Sequence, residues 1–541
     1  NFSLRSPPHP LTALGALDAM LRSLGSRAVG AAARASALRA ARASAAFHPS
    51  ASSLRGVSAA AAVRARADAN ELLRDGGNLT GFSSQPLRPI LIEGGTVIDG
   101  TGAQPRASEP LLIRGDEILA VGEPAVGRAV AKLTETSGES LLRLDARGQF
   151  VLPGLIDAHC HVSFGEPQSN DEMFFHRQSE GLTAIIAAHG VKKLLLAGCT
   201  GFLDADVMYN VGCDLRDAIE IGAVEGPRMS TGGNALLTAV GGTAGRLIPE
   251  DGLRGYAQVV RSKDEIVQTV RRQIKHGADW IKLHVTGLVP RQLKRGEITV
   301  WSMEEMRLAV EAAHALHTPV VAHVRSAAST RDAAKAGVDL LLHATNMDDE
   351  AVEALVESGA AVCPTLAFQA NLADYGAAAG ASPELIEIFR KEIESSSVML
   401  KKAYDAGVPF LCGSESGFSI TPLGHWHGRE VEVFVKHLGM TPLEAITCAT
   451  KEGGRCLRLY GKVGTLEEGM LADVIVVDGD PLKDVRVLND RTRLRHVISK
   501  GRPVDLNVPW PERARFPGEK VGNWTTVPLT RELAASFEAQ R

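Results

Sequence analysis

The sequence predicts an α/β fold: a TIM-type (β/α)8 barrel that carries a small β-sandwich built from both ends of the chain. Three observations predict it. Between residues 152 and 455, eight short apolar runs rich in branched residues alternate with stretches of helical periodicity. Short apolar runs separated by turn residues precede that segment, over 89–151, and return after it, over 456–510. No glycine-rich phosphate loop follows the first run of the middle segment, which argues against the alternative, a doubly wound sheet.

A chain of 541 residues is too long for one simple core. Its composition, 45% hydrophobic and 23% charged with a formal net charge of -4, is that of an ordinary globular enzyme. No basic field is present to steer nucleic acid, and 5% aromatic residues offer little for base stacking. No apolar run is long enough to span a bilayer. The expected partner is therefore a small molecule, with neither nucleic acid nor membrane, and a homo-oligomer remains open. The 7 cysteines are scattered without a CxxC pair, which reads as reduced intracellular thiols rather than a disulfide framework.

Residues 1–66 hold nine arginines, no lysine and one acid, Asp18, amid alanine and serine. That is the composition of an organelle transit segment, mitochondrial or plastid, since no compact apolar stretch of a secretory signal follows the basic residues. The alternative is an extension without a targeting role, which would leave the protein cytoplasmic. Over 89–151 the runs at 90–92, 95–98, 111–113, 118–121 and 141–144 predict small antiparallel strands. Matching runs at 461–464, 472–478 and 497–501 predict the other part of one sandwich, so the middle segment is an inserted domain whose ends lie close together. Residues 511–541 are left as a C-terminal tail.

The eight strands of the middle segment are expected at 152–162, 198–206, 227–234, 279–286, 319–325, 339–344, 360–367 and 408–415, with helices over 263–276 and 303–316. In a barrel, polar residues at the C-terminal strand ends form the site. On strand one, His159 and His161 share a side by strand alternation, a ready metal clamp, although a lone pair of this kind also occurs in packed cores. On strand four the same parity turns Lys282, His284 and Thr286 inward. Burial lowers the pKa of a lysine and exposes a neutral amine, which can take up carbon dioxide as a carbamate able to bridge two metal ions; pairing with a buried acid is the alternative. Strands five and six end in His323 and His343, twenty positions apart, about one βα repeat. Strand eight ends in Glu415, a carboxylate able to hold a metal ion and take a proton from its water, or else a solvated loop acid. His425 and His427 follow on a loop expected to border the substrate, unless one caps the next helix. Arg325 and His284 face inward; Arg325 is suited to fork onto a substrate carboxylate or to make a structural ion pair.

Taken together, these residues resemble the amidohydrolase superfamily over about residues 89–505: His-x-His on strand one, Lys on four, His on five and six, and an acid on eight. The phrase Val151-Leu152-Pro153-Gly154-Leu155-Ile156-Asp157-Ala158-His159 is similar to the subgroup of imidazolonepropionase-like proteins, metal-dependent Xaa-Pro and Xaa-Arg dipeptidases and ochratoxin-hydrolysing amidases. So are Gly277-Ala278-Asp279-Trp280-Ile281-Lys282 and Gly469-Met470-Leu471-Ala472-Asp473. The resemblance implies two divalent metal ions, zinc by ligand type, with His159, His161 and Glu415 on the more buried ion and His323 and His343 on the more exposed one. It further implies a bridging carbamate on Lys282, attack of a metal-bound hydroxide on the carbonyl of an amide or peptide-like C–N bond, and proton transfer to the leaving amine by Glu415. One departure stands out. The superfamily usually carries aspartate where Glu415 stands, and the added methylene lengthens the side chain by about 1.5 Å. A mononuclear deaminase of the same superfamily is the alternative, which needs no bridging Lys282. A catalytically silent scaffold that binds a partner is the other, and the substituted Glu415 is what favours it.

Overall fold

The structure is a computed structural model that describes residues 88–137, 140–168, 179–242, 248–287, 297–512 and 525–540. These belong to one compact unit, Asn78–Arg541. The expected transit segment, 1–66, lies outside the described residues.

The leading end forms β1 (Ile90–Glu93), β2 (Thr96–Val97), β3 (Leu111–Arg114), β4 (Glu117–Val121), helix α1 (Ala125–Ser137), β5 (Leu142–Asp145) and β6 (Phe150–Pro153). The first sheet has the order β4-β3-β1-β5. It is not wholly antiparallel as expected, because β5 pairs parallel to β1. The crossover between them is α1, a helix the sequence reading passed over, although Val126, Val130 and Leu133 recur at i, i+4 and i+7. Val126 and Leu133 pack with Leu91, Leu112 and Ala120 on one face of the sheet.

The expected first strand of the middle segment divides at Gly154. Leu152 stays with β6, and β7 (Leu155–Cys160) starts a different sheet. A Cβ at Gly154 would stand 2.0 Å from Thr200 Oγ1, so only glycine passes there. The chain continues through α2 (Glu180–Leu196), β8 (Cys199–Asp204), α3 (Val211–Glu220) and β9 (Arg228–Thr231), and β7-β8-β9 is a parallel sheet. Next come β10 (Leu236–Thr238), β11 (Gln258–Val260), α4 (Lys263–Lys275), β12 (Ile281–His284), the short pair β13 (Thr286–Gly287) and β14 (Ile298–Thr299), and α5 (Met303–His314). They lead to β15 (Val320–Val324), α6 (Ala327–Ala336), β16 (Leu340–His343), α7 (Asp349–Ser358) and β17 (Ala361–Cys363). A second parallel sheet has the order β11-β10-β12-β15-β16-β17.

Helices α4 and α5 fill the two expected windows. Each starts where a serine, Ser262 or Ser302, accepts the N–H of the residue three positions on; Glu305 returns the contact to complete a capping box in α5. Ile281, Leu283 and Val285 pack with Ile266, Val270, Met306 and Val310 from these helices, which leaves Lys282 and His284 for the opposite side.

Two expectations change here. Strand seven stops at Cys363, and α8 (Leu366–Tyr375) follows where the strand was expected to run on. Residues 408–415 form no regular strand among the described residues. They are an extended segment bonded on both flanks: Leu411 N–H donates to Val362 O at 2.9 Å, Ala158 N–H to Cys412 O at 2.8 Å, and Glu415 N–H to His159 O at 2.7 Å. Regular pairing is interrupted, because Ser414 N–H turns to the Asp157 carboxylate and Glu415 has a φ of 55°, before His161 N–H donates to Ser416 O at 2.7 Å. The two parallel sheets meet at Thr231 O, which accepts the N–H groups of Asp279 and Trp280. The described strands thus form mixed sheets without one continuous closed ladder.

After α9 (Pro383–Asp405), α10 (Arg429–Leu438) and α11 (Pro442–Ala449), the chain returns as β18 (Val474–Val477), β19 (Leu494–Ser499) and β20 (Arg502–Pro503). The order β2-β6-β18-β19-β20 puts β18 antiparallel against β6, so the two ends of the chain pair directly. Ile90, Ile92, Leu111 and Ile113 of the first sheet share an apolar cluster with Val151, Val474, Val476 and Ile498 of this one. The expected run at 461–464 makes only an isolated bridge, Tyr460 with Val463. Within 511–541, read as a tail, lies α12 (Arg531–Glu538), and just before it Leu529 O accepts the indole N–H of Trp426 at 2.8 Å. All seven cysteines are buried and free of disulfides. No described helix is long and apolar enough to cross a membrane.

Candidate active site

The parallel register brings the ends of separate strands together. His284 lies beside His323 across β12 and β15, and Val324 beside His343 across β15 and β16. His159 is the penultimate residue of β7, His161 lies immediately beyond its end, and the extended segment after Val408 delivers Glu415. Ring centres are 4.9 Å apart for His159 and His161, 5.2 Å for His159 and His343, and 4.5 Å for His323 and His343. The ligand atoms of His159, His161 and Glu415 all lie within 4.8 Å of one another. Glu415 Oε1 is 4.0 Å from His343 Nε2. Lys282 is 1% exposed and feels the charge of Glu415 and of Asp206. Five of the expected ligands are thus buried in one cluster, with Glu415 at its edge.

Backbone conformation turns two of them inward. His343 and the next residue, Ala344, have φ of 72° and 48°, and Glu415 has 55°, values that side-chain-bearing residues seldom adopt. Such strain, of order 1–3 kcal/mol at each residue, persists where the surroundings enforce it and gathers at functional sites.

Burial sets the protonation states. It brings the Lys282 amine down to about 8, with Asp206 and Glu415 opposing. It raises the Glu415 carboxyl to about 7, against Arg325 and Lys282, which pull it down. His161 and His323 are lowered to about 4, chiefly by burial, and His159 and His343 lie well below the ordinary imidazole value for the same reason. All four rings are therefore neutral near pH 7, the form that binds a metal ion.

The neighbours decide which ring nitrogen is available. Thr365 Oγ1 donates to Cys363 O at 3.1 Å, so it accepts from His159 Nδ1–H at 3.0 Å and leaves Nε2 with its lone pair. His161 Nδ1–H donates to Asp206 O at 3.3 Å, with the same result. His323 Nε2–H meets Glu297 Oε2 at 3.1 Å and leaves Nδ1. His343 has both ring nitrogens buried without a hydrogen-bond partner. An imidazole so placed lacks what a cation would supply, and the set of neutral imidazoles, carboxylate and amine suits a divalent metal.

Of the four residues expected to contact substrate, His284 faces the cluster, while His427, His425 and Arg325 have partners or surroundings elsewhere. His427 is buried, with Nδ1 2.7 Å from Asp157 Oδ2 and Nε2 accepting the Gly424 N–H at 2.9 Å, so both nitrogens are spent inside the fold. Asp157, Cys160 and His427 also converge, but Asp157 is engaged by His427 and Ser414, and burial holds the Cys160 thiol protonated. His425 lines a cavity whose walls include none of the clustered ligands. Arg325 makes the structural ion pairs of the alternative reading, with Glu297 at 3.0 Å and with Glu392. His284 does face the cluster, and its Nε2 is 2.8 Å from Asp206 Oδ2.

Sequence reasoning overlooked Asp206, Glu297 and Thr365. Asp206 was within reach, since Asp204 and Asp206 repeat at the end of strand two the i, i+2 spacing of His159 and His161. Nothing local marks Thr365 or Glu297. Phe164 stacks on His161 at 4.4 Å and Phe418 approaches it edge-on at 5.5 Å, forming an apolar wall beside the cluster.

The family model described as "Amidohydrolase family" matches residues 150–504. The ochratoxinase of Aspergillus niger is 28% identical over 462 residues, covering 80% of this chain and 91% of that protein. An imidazolonepropionase of Symbiobacterium thermophilum is 26% identical over 445 residues, covering 75% and 90%. Among solved structures, a Xaa-Pro dipeptidase with methionine bound in its active site is 30% identical, with a TM-score of 0.65 over 77% of this chain and 99% of the other. The crystal structure of A. niger ochratoxinase is 25% identical, with a TM-score of 0.66 over 83% and 100%.

Proposed function

The chain belongs to the amidohydrolase family, and on that premise we propose that it hydrolyses the C–N bond of a small dipeptide-like amide or N-acyl amino acid at a centre of two divalent ions. His343 carries this reading, because both of its ring nitrogens are buried and unpartnered 4.0 Å or more from the nearest carboxylate, Glu415. His159, His161 and Glu415 would hold one ion, His323 and His343 the other, and a carbamate on Lys282 would join them. Zinc suits this donor set. Such ions, when bound, supply Lewis acidity toward a carbonyl oxygen and make water acidic enough to react near neutrality.

The chain's own residues supply the rest. Glu415, whose side chain reaches the edge of the cluster, would take a proton and return it to the departing nitrogen. Lys282, near 8, is neutral often enough near pH 7–8 to combine with carbon dioxide. Asp206, Glu297 and Thr365 fix the ring orientations. Phe164 and Phe418 limit water beside His161. The names of the relatives, Xaa-Pro dipeptidase and ochratoxinase, support an amide of an amino acid as the substrate class.

The backbone bonds at Thr231, Val362 and Ala158 support an eight-staved (β/α)8 barrel, and the apolar cluster shared by the two end sheets supports a composite sandwich. The Arg-rich, acid-poor composition of 1–66 supports delivery to a mitochondrion or plastid.

A single-ion site, as in a mononuclear deaminase, is the second reading, favoured by the close convergence of His159, His161 and Glu415 alone. Metal analysis of the purified protein, with a screen of dipeptides, N-acyl amino acids and lactams, tests both. Two ions per chain and release of an amino acid are expected; one ion per chain and release of ammonia would favour the second reading. A metal-loaded protein that cleaves no C–N bond would overturn the proposal.

A further inference from the structure

Lys500 lies on the turn between β19 and β20, outside the metal cluster. Its backbone adopts a φ of 52°, and the turn is fixed on both sides: Lys500 N–H donates to Asp473 Oδ1 at 2.8 Å and Gly501 N–H to Ala472 O at 2.9 Å. Two cavities, of about 400 Å³ and about 220 Å³, meet at this residue, which lines both. Glu220, the last residue of α3, and Arg228, the first of β9, also line the larger one. Strand β9 runs parallel to β8 and, through it, to β7, near whose end His159 stands. The larger cavity therefore sits at the opposite end of the strands from the clustered histidines.

The Lys500 amine is accessible and unpartnered. Its Nζ makes no hydrogen bond or ion pair among the described residues. Unlike Arg228 Nη2, which is buried without a partner, it is not sealed from the cavities.

Its surroundings keep it from charging. Burial and then the Arg228 guanidinium lower the amine to about 8, against Asp473 and Glu220. Asp473 is already engaged by Arg228 Nε, by Ser499 Oγ at 3.4 Å and by the Lys500 N–H. Other charges on the walls are met elsewhere: Arg216 pairs with Asp279 and Asp217, each at 2.7 Å, Glu225 pairs with Lys192 at 2.8 Å, and Arg458 donates to the carbonyl oxygens of Asp279 and His317. Arg502, of the same sign as Arg228, lines the smaller cavity. An amine near 8 is neutral about half the time at pH 8, against roughly 0.4% for an ordinary exposed lysine. A lower pKa also weakens a nucleophile, as it does for thiols, which leaves a net advantage of roughly fivefold or more.

We propose that Lys500 is a modification site, acylated by a small activated acyl donor, an acyl phosphate or a thioester, that enters the larger cavity. The Nζ lone pair attacks the acyl carbon and an N–C bond forms. The C–O or C–S bond of the donor breaks, phosphate or thiolate leaves with the electron pair, and the surplus proton of the amine passes to water. The product is a neutral amide beside Arg228.

The test exposes the full, metal-loaded protein briefly to acetyl phosphate and, separately, to a small acetyl thioester between pH 7 and 9, and follows each lysine by peptide mass spectrometry. Lys500 is expected to acetylate roughly fivefold or more faster than the exposed Lys132 of α1 with at least one donor, which identifies the source, and with a midpoint near pH 8. Arg228→Gln removes the like charge and is expected to move that midpoint up; Glu220→Gln, at an exposed helix end, is expected to move it down. Circular dichroism confirms that the variants fold, and Glu220→Gln decides alone if Arg228→Gln does not. Acetylation of Lys500 no faster than of Lys132 with both donors would overturn the proposal. So would a midpoint that no folded variant moves.

Discussion

The carboxylate of Asp157 and the imidazole of His427 meet at 2.7 Å, both almost wholly buried. Through Asp157 this contact reaches the cluster of candidate metal ligands. The Asp157 carboxylate also accepts the N–H groups of His159 at 3.1 Å and of Ser414 at 3.0 Å. It thereby ties the backbone that bears one ligand to the residue preceding another, Glu415. His427 is a positioning residue for the site, although it cannot reach a substrate.

Replacing His427 by alanine leaves a buried carboxylate short of one donor. The expected loss is about 1.5–3 kcal/mol, the usual worth of a hydrogen bond to a charged group. Urea denaturation of wild type and variant measures it. Unchanged stability would mean that the pair contributes nothing.

Thr365 orients His159 as the only hydroxyl bonded to its Nδ1 among the described residues. Thr365→Ala is expected to lower metal affinity by about 10–100-fold, as loss of a group that orients a ligand usually does. Thr365→Ser should restore it. Competition with a chromogenic chelator reads both.

Glu415→Gln removes the group assigned to proton transfer and is expected to reduce kcat by about 10²–10⁴-fold on any amide substrate found. Bound metal, counted by mass spectrometry, separates loss of proton transfer from loss of a ligand. A variant with full turnover would remove Glu415 from the mechanism.

Glu430 lies behind the site and accepts the N–H groups of Leu366 at 2.9 Å and Ala367 at 2.7 Å, so it secures the start of α8 next to Thr365. Burial raises its carboxyl to about 8, against those two donors. An acid raised on folding holds its proton more tightly in the folded state. Its contribution is fully present below the unfolded value, near 4.5, and is lost as pH rises through about 8. Glu430→Gln is therefore expected to gain stability relative to wild type between pH 5 and 8.5, by an amount on the order of a few kcal/mol. Thermal melts across that range decide it, and a constant difference would refute the assignment.

Removing metal should loosen the cluster, since a bound cation would take up the lone pair of the buried His343 ring. A chelator is expected to lower Tm, and zinc in excess to restore it in a concentration-dependent way. A Tm indifferent to chelation would speak against any metal at this site.

How much of this was legible in the sequence depended on how local the signal was. His159 with His161, and Lys282 with His284, could be assigned a common side because strand alternation is a property of neighbouring residues. His323 and His343 followed from the spacing of one βα repeat. Helices α4 and α5 were legible from periodicity alone.

The tertiary structure alone decided the remainder. It divided the first strand at Gly154, where Thr200, distant in sequence, leaves no room for a side chain. It turned His427 and Arg325 into structural partners of Asp157 and Glu297, and it brought Thr365 to His159 across 206 positions of chain. No local pattern encodes such meetings. They depend on which buried donors and acceptors must find each other once the strands have packed, and that condition exists only in the folded chain.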